Sequence, residues 1–186
     1  MKIIGGKYKS KQLVTPEGAQ TRPTLNRIKE NIFNILGHRF DVAFEGKKVL
    51  DLFAGSGALG IECYSRGADL VTFIDNEETA IKAIKKNTKS FDAQQIKIYQ
   101  ESVLKFLKKK SAPYDLVFID PPYDINIIEP TLKALYENNW IHENGLIIIE
   151  SAKGYAFQCP GQFEVLDIRT YAKTSLFFVK PKSEII

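Results

Sequence analysis

The chain has 186 residues, 44% hydrophobic and 26% charged, enough for one globular domain with a sizeable core. No apolar run reaches membrane-span length, the N-terminus lacks the apolar stretch of a secretory signal, and Cys63 and Cys159 are too few for a disulfide framework or a zinc site, so a reduced, metal-free, cytoplasmic protein is expected. The net charge of +4 is uneven: residues 1–39 hold eight Lys/Arg against two acids, +6, which leaves −2 for the remainder and points to a polyanion partner for the N-terminal segment.

Residues 2–14 read as a β-hairpin, with Ile3 and Ile4 before the turn formers Gly5-Gly6 and with Tyr8 and Leu13 after them. Lys7, Lys9 and Lys11 alternate and are candidates for one phosphate-facing side. A turn-rich loop, "TPEGAQTRPT", leads to Thr24, which can cap a helix running to about Leu36. Leu25, Ile28, Ile32, Ile35 and Leu36 follow helical spacing in it. Arg22 and Arg27 are candidates for contact with a target base or its neighbours.

After Gly46 strands and helices alternate. Strands are expected at Lys48–Phe53, Leu70–Asp75, Ile96–Gln100, Asp115–Ile119 and Leu146–Glu150, with helices near Gly57–Ser65, Glu77–Ser90, Val103–Lys109 and Ile127–Asn138. Short apolar strands alternating with helices predict an α/β fold with a parallel sheet covered on both faces. The tail, "FEVLDIRTYAKTSLFFVKP", reads as an antiparallel strand pair at the sheet edge. One domain is expected, with 1–39 as a basic extension and 40–186 as the core. His38 and His142 are expected at the surface, and Trp140 in packing.

The first strand runs into "DLFAGSGALGIE". Gly55, Gly57 and Gly60 fit G-x-G-x-x-G, a turn at a helix N-terminus that lets a ligand approach the backbone closely. Asp75 ends the second strand 20 residues after Gly55, where a carboxylate can accept both hydroxyls of a ribose. Either NAD or S-adenosylmethionine satisfies that pattern. Asp51 favours the second, because a carboxylate two residues before the strand end, close to the ligand, suits a cationic amino-acid moiety better than a pyrophosphate. Glu101, Ser102 and Val103 follow the third strand, where an adenine would lie; Ser102 is equally well placed as a helix cap.

The fourth strand ends in Asp120-Pro121-Pro122-Tyr123. Prolines cannot continue a sheet ladder, and they hold their own carbonyls rigidly. Asp120 and the Pro121 carbonyl can accept the two N–H bonds of an exocyclic base amine, and Tyr123 can stack on the base. Methyl transfer to such an amine asks mainly for positioning and electrostatics.

"IIGGKYKSKQL", "TRPTLNRIKENIFNIL", "DLFAGSGALGIE", "FIDPPY" and "YAKTSLFFV" together resemble the bacterial 16S rRNA guanine-N2 methyltransferase family, over nearly the whole chain. The resemblance implies a Rossmann-like class I methyltransferase fold: a mainly parallel seven-stranded sheet, an antiparallel C-terminal hairpin and an N-terminal hairpin–helix extension. It implies methylation of a guanine N2 in 16S rRNA, free or in the small-subunit particle. It places Asp51, Phe53, Ala54, Gly55, Ser56, Gly57, Asp75 and Asn76 at S-adenosylmethionine, Asp120 to Tyr123 at the amine, and the hairpin with Arg22, Pro23 and Thr24 at RNA. Ala172 departs from the family, which often has glycine after the tyrosine, and many members carry phenylalanine at position 123. A DNA adenine-N6 methyltransferase is the nearest alternative, though 186 residues leave no room for a target-recognition domain. An NAD-dependent oxidoreductase, or an RNA-binding module with a vestigial site, are the others.

Overall fold

The computed structural model describes residues 1–17, 23–122, 125–155 and 157–182. Among these no helix is long and apolar enough to cross a membrane, and no cluster of acids, histidines and cysteines is arranged to hold a metal ion.

The elements follow as α1 (Pro23–His38), β1 (Lys48–Leu52), α2 (Ala58–Ser65), β2 (Leu70–Asp75), α3 (Glu78–Thr88), β3 (Ile96–Gln100), α4 (Val103–Phe106), β4 (Tyr114–Ile119), a 3-10 turn (Ile125–Ile127), α5 (Ile128–Glu137), β5 (Ile141–Ala152), β6 (Phe163–Thr170) and β7 (Thr174–Pro181). The seven strands form one sheet in the order β3-β2-β1-β4-β5-β7-β6. The first five are parallel, and β7 runs antiparallel between β5 and β6. This is the expected fold class. The order reverses at β1/β4, so the crevice for a ligand opens beyond the carboxyl ends of those strands.

Side-chain alternation along each strand divides the core in two. Val49, Phe73, Leu116, Phe118 and Ile148 face α1, α2 and α3, where they meet Ile28, Ile32, Leu36, Ile61 and Ile84. Leu50, Leu52, Ile74, Val117 and Ile149 face α4 and α5, against Phe106, Leu132 and Leu135. Each such fully buried aliphatic side chain contributes roughly 1.5–3 kcal/mol. Trp140 belongs to this second layer and donates from Nε1 to the Lys109 carbonyl at 2.6 Å, while His38 and His142 are exposed.

Beyond small shifts at element ends, three elements differ from expectation, and the first, α4, stops at Phe106 and not near Lys109. β5 starts at Ile141, not Leu146, because the polar run His142–Asn144 forms an irregularity: Tyr114 pairs with Ile141, and the next ladder pair is Leu116 with Leu146. The N-terminal hairpin is brief. Lys2 and Gln12 form a single antiparallel bridge, and residues 5–10 are a turn that carries Lys7 and Lys9.

The N-terminal segment is part of the same core. Ile3 and Leu13 are buried with the α1 residues. Lys7 N–H donates to the Ser65 carbonyl at 2.7 Å, and Ser65 Oγ donates to the Gly5 carbonyl at 2.6 Å. Beneath this turn lies Glu62 of α2, fully buried. It accepts the N–H groups of Ile4 (2.8 Å) and Gly5 (2.7 Å), Lys29 Nζ (3.2 Å) and Arg66 Nε (3.0 Å). Lys29 is itself only 3% exposed and also donates to the Lys2 carbonyl at 2.7 Å. Four donors around one carboxylate hold the first 30 residues onto the first βα unit.

Candidate active site

The glycine loop connects β1 to α2. Phe53 has φ +59, a conformation costly for a non-glycine residue, and Gly55 follows at φ +55. A Cβ placed on Gly55 would meet nothing within 4 Å, so the loop presents open backbone to the crevice. A Cβ on Gly60 would come within 2.5 Å of the Phe73 ring and 2.7 Å of Val71, so glycine there lets α2 lie flat on the sheet. Ala54 N–H donates to the Ile74 carbonyl and the Ala54 carbonyl accepts from Gly57. Asn87 of α3, buried, donates to the Ser56 carbonyl and to the Val14 carbonyl, both at 2.9 Å, and accepts the Val14 N–H at 2.8 Å. One amide thus fastens the N-terminal segment to the loop.

Two carboxylates frame the loop. Asp75, at the end of β2, accepts Gly55 N–H at 2.8 Å on one oxygen and Glu77 N–H at 2.9 Å on the other. Each oxygen keeps a lone pair for a hydroxyl donor. Asp51, 2% exposed, accepts the Gly60 N–H at 2.9 Å, one of the free donors of the first turn of α2. Burial pushes its carboxyl up from 3.8 to about 7; the Gly60 bond pulls it down and the charge of Asp75 adds to the rise. An open glycine turn, hydroxyl acceptors and a buried acid fit a group that carries both a ribose and a positive charge.

The remaining cofactor candidates lie on the same rim. Asn76 is exposed just beyond Asp75. Glu101 follows β3 and pairs with Lys105 and Lys109, both at 3.1 Å; these bonds hold its carboxyl below the ordinary range. Ser102 stands at the N-cap of α4 without a side-chain cap bond, so it is open to a ligand. The Val103 side chain is buried in the core, which leaves its backbone for the rim.

β4 lies beside β1, with Leu52 opposite Ile119, so Asp120 emerges next to the glycine loop. Pro121 is half-buried and Pro122 exposed, while Tyr123 lies outside the described residues. Asp120 keeps more than a third of its surface open to solvent. Crowding by the crevice walls, then the charges of Glu150 and Asp51, push its carboxyl above the ordinary carboxylate range, and its contact with solvent limits that push. Glu150 occupies the next position on β5 after Ile149, which pairs with Ile119, and it projects to the same sheet face. Its carboxyl is also held up by burial, against a hydrogen bond from Thr174. Among the described residues no cation pairs with Asp51, Asp120 or Glu150. Sequence reasoning missed Glu150; its signal was an acid ending the apolar run "GLIIIE".

The basic candidates are dispersed. Lys7, Lys9 and Arg27 are exposed. Lys11 is held against the body: its Nζ donates to Ser90 Oγ at 2.7 Å and the Asn87 carbonyl at 3.3 Å, and lies 4.5 Å from the Phe91 ring centre. Pro23 and Thr24 open α1, two residues earlier than a Thr24 cap requires. Their side chains, and all of Arg22, lie outside the described residues.

Comparison with known proteins adds the following. The family described as Conserved hypothetical protein 95 matches residues 1–180. Ribosomal RNA small subunit methyltransferase D of Escherichia coli K12 is 34% identical over 151 residues, 81% of this chain and 74% of that protein. The Haemophilus influenzae protein of the same name is 35% identical, over 91% of this chain and 88% of that one. Among solved structures, the chain is similar to yhhF of Escherichia coli, named as a candidate methyltransferase, with a TM-score of 0.86, 28% identity and 99% coverage of both chains.

Proposed function

Since the chain belongs to the Conserved hypothetical protein 95 family, to which the small-subunit rRNA methyltransferases D are its relatives, we propose that it methylates the exocyclic N2 amine of a guanine in 16S rRNA at the expense of S-adenosylmethionine. The observation that carries this reading is the placement of Asp120 beside the glycine loop, on adjacent strands at the point where the sheet order reverses.

S-adenosylmethionine, when bound, supplies an electrophilic methyl group on a cationic sulfur. Asp75 is suited to the ribose hydroxyls, the open backbone at Gly55 to the amino-acid portion, and Asp51 to the positive charge nearby. Glu101 and Ser102 border the adenine position. Asp120 and the Pro121 carbonyl accept the amine's two N–H bonds. They turn its lone pair toward the methyl carbon, and Asp120 takes the proton shed after transfer.

An ionised Glu150 would favour guanine over adenine. Guanine presents its ring N1–H beside the N2 amine, a row of donors that suits two neighbouring acidic acceptors. Adenine and cytosine present a ring-nitrogen acceptor beside the amine, which an ionised carboxylate would repel. The exposed Lys7, Lys9 and Arg27, with Arg22, Pro23 and Thr24, are assigned to the RNA around the target.

The test is incubation with methyl-labelled cofactor and either 16S rRNA or 30S particles. Label in 16S rRNA is expected. Label in DNA with none in RNA would overturn the assignment in favour of a DNA amino-methyltransferase.

A further inference from the structure

Beside the catalytic crevice, α1 and the edge strand β6 enclose an open groove of about 620 Å³ lined by Asn31, Asn34, Ile35, His38, Arg39, Arg169 and Tyr171. Behind two of its lining residues Asp167, 14% exposed, binds both guanidinium groups with one oxygen. Arg39 Nε lies 3.0 Å and Arg169 Nε 2.9 Å from the same Oδ2, while Oδ1 accepts the Ile168 N–H at 2.9 Å. Both arginines remain about half exposed, at 49% and 47%.

A surface ion pair normally leaves a guanidinium free to wander and adds little to stability. Here the carboxylate is fixed by its own backbone bond and grips each guanidinium at Nε, which leaves Nη donors on each for a further partner. The Arg169 Nη groups have no partner among the described residues. The Arg39 Nη2 makes only a 3.4 Å contact with the Leu166 carbonyl. The cluster keeps a net charge of +1 and several charge-assisted donors about one point, an arrangement suited to the oxygens of a phosphate. Tyr171, bonded to Asn31, gives the upper end of the groove an aromatic face.

The groove also leads to the right place. Ala152 pairs with Thr174 and Thr170 with Ser175, so the β6–β7 turn stands at the carboxyl end of β5. That is the rim that holds Glu150 and Asp120. Lys153 and Lys173, exposed and joined by a 2.9 Å backbone bond, extend the positive charge between groove and crevice.

We propose that this groove is a second RNA-binding site, in which Arg39 and Arg169, oriented by Asp167, clasp one backbone phosphate of the rRNA strand flanking the target guanine. The inference rests on the rRNA reading above. It enlarges the RNA-binding surface from the basic N-terminus to the opposite end of the sequence. RNA suits the groove better than an acidic protein segment, because two converging guanidiniums beside a ring and amides match a phosphate next to a stackable base.

The experiment measures affinity for protein-free 16S rRNA at several salt concentrations, for the wild-type chain and the double variant Arg39→Ala/Arg169→Ala. Calorimetry with S-adenosylhomocysteine checks that the cofactor site persists. The expected result is a drop in RNA affinity of about tenfold, with the slope of log affinity against log salt reduced by about 0.7–0.9, the value of one phosphate contact. Arg39→Lys/Arg169→Lys should recover the salt slope and only part of the affinity, since lysine lacks the planar fork. Unchanged affinity and slope would overturn the proposal. So would a loss seen with 30S particles alone, which would assign the groove to a ribosomal protein. If the wild-type protein labels DNA and not rRNA, the functional reading itself fails, and the two failures are thereby distinguished.

Discussion

Asp51 and Glu62 are buried carboxylates in one strand–turn–helix unit, yet their surroundings are opposite. Glu62 lies under the N-terminal turn with Lys29, Arg66 and two backbone N–H groups around it. Asp51 lies at the crevice with one backbone N–H, and Asp120 and Glu150 share the rim without a cation among the described residues. A carboxylate whose charge is fully compensated has completed its task in the folded chain. Carboxylates crowded together and pushed toward protonation are stabilised only when something positive, or rich in N–H donors, arrives. On the proposed reading, the sulfonium and the amine edge of a guanine are such arrivals. On this account Glu62 belongs to the architecture and the rim acids to the reaction.

The largest effect should come from removing the compensated acid. Glu62→Ala leaves Lys29 buried without its counter-charge and orphans two backbone donors, which should cost about 3–5 kcal/mol. Chemical denaturation would read it as a large fall in midpoint. A cost below about 1 kcal/mol would mean that Glu62 does not anchor the N-terminal segment.

Next is Asp120→Ala at the rim. Loss of the amine acceptor should lower kcat by about 10²–10³-fold, the scale of one preorganised electrostatic contact. Melting temperature and S-adenosylhomocysteine affinity should stay near wild type, because among the described residues Asp120 forms no ion pair that supports the fold.

The third prediction follows from the pH response of Asp51. Its carboxyl in the folded chain, at about 7, lies above its ordinary 3.8, so the fold holds that proton more tightly than the unfolded chain does. Its contribution to stability is therefore full below about pH 4 and is lost as pH rises through about 7. Asp51→Asn should flatten this decline and raise the melting temperature at pH 8 by about 2–4 °C for each kcal/mol recovered, while weakening S-adenosylmethionine binding. A variant melting below wild type at pH 8 would show that the Gly60 bond outweighs the charge.

The smallest effect is a titration. Cationic S-adenosylmethionine should gain affinity over neutral S-adenosylhomocysteine between pH 6 and pH 8, as Asp51 ionises. A ratio independent of pH would remove charge from the account of cofactor binding.

The contrast also explains what the sequence made legible. Strands β1, β2 and β4 and the later part of β5 are mainly apolar runs buried on both faces, and such runs need no partner to be recognised; β3, at the sheet edge, was legible from its alternation with helices. The start of β5 escaped because "IHENG" is polar and joins through an irregular ladder. Asp75, Gly55 and Asp120 were legible because their chemistry demands given residue types at strand ends. Glu62, Asn87, Glu150 and the Arg39–Asp167–Arg169 cluster were not. Their partners lie far away in the chain, 57 and 58 residues from Glu62 for Gly5 and Ile4, and 73 from Asn87 for Val14. Only the folded arrangement of α1 against β6 turns two separated arginines into a pair.

The most direct measurement is nucleoside mass spectrometry of 16S rRNA after reaction with S-adenosylmethionine, comparing the wild-type chain with Asp120→Ala. The account predicts N2-methylguanosine at one position for the wild type, and none for a variant that still binds S-adenosylhomocysteine. Methylation on adenine, or undiminished N2-methylguanosine from the variant, would contradict it.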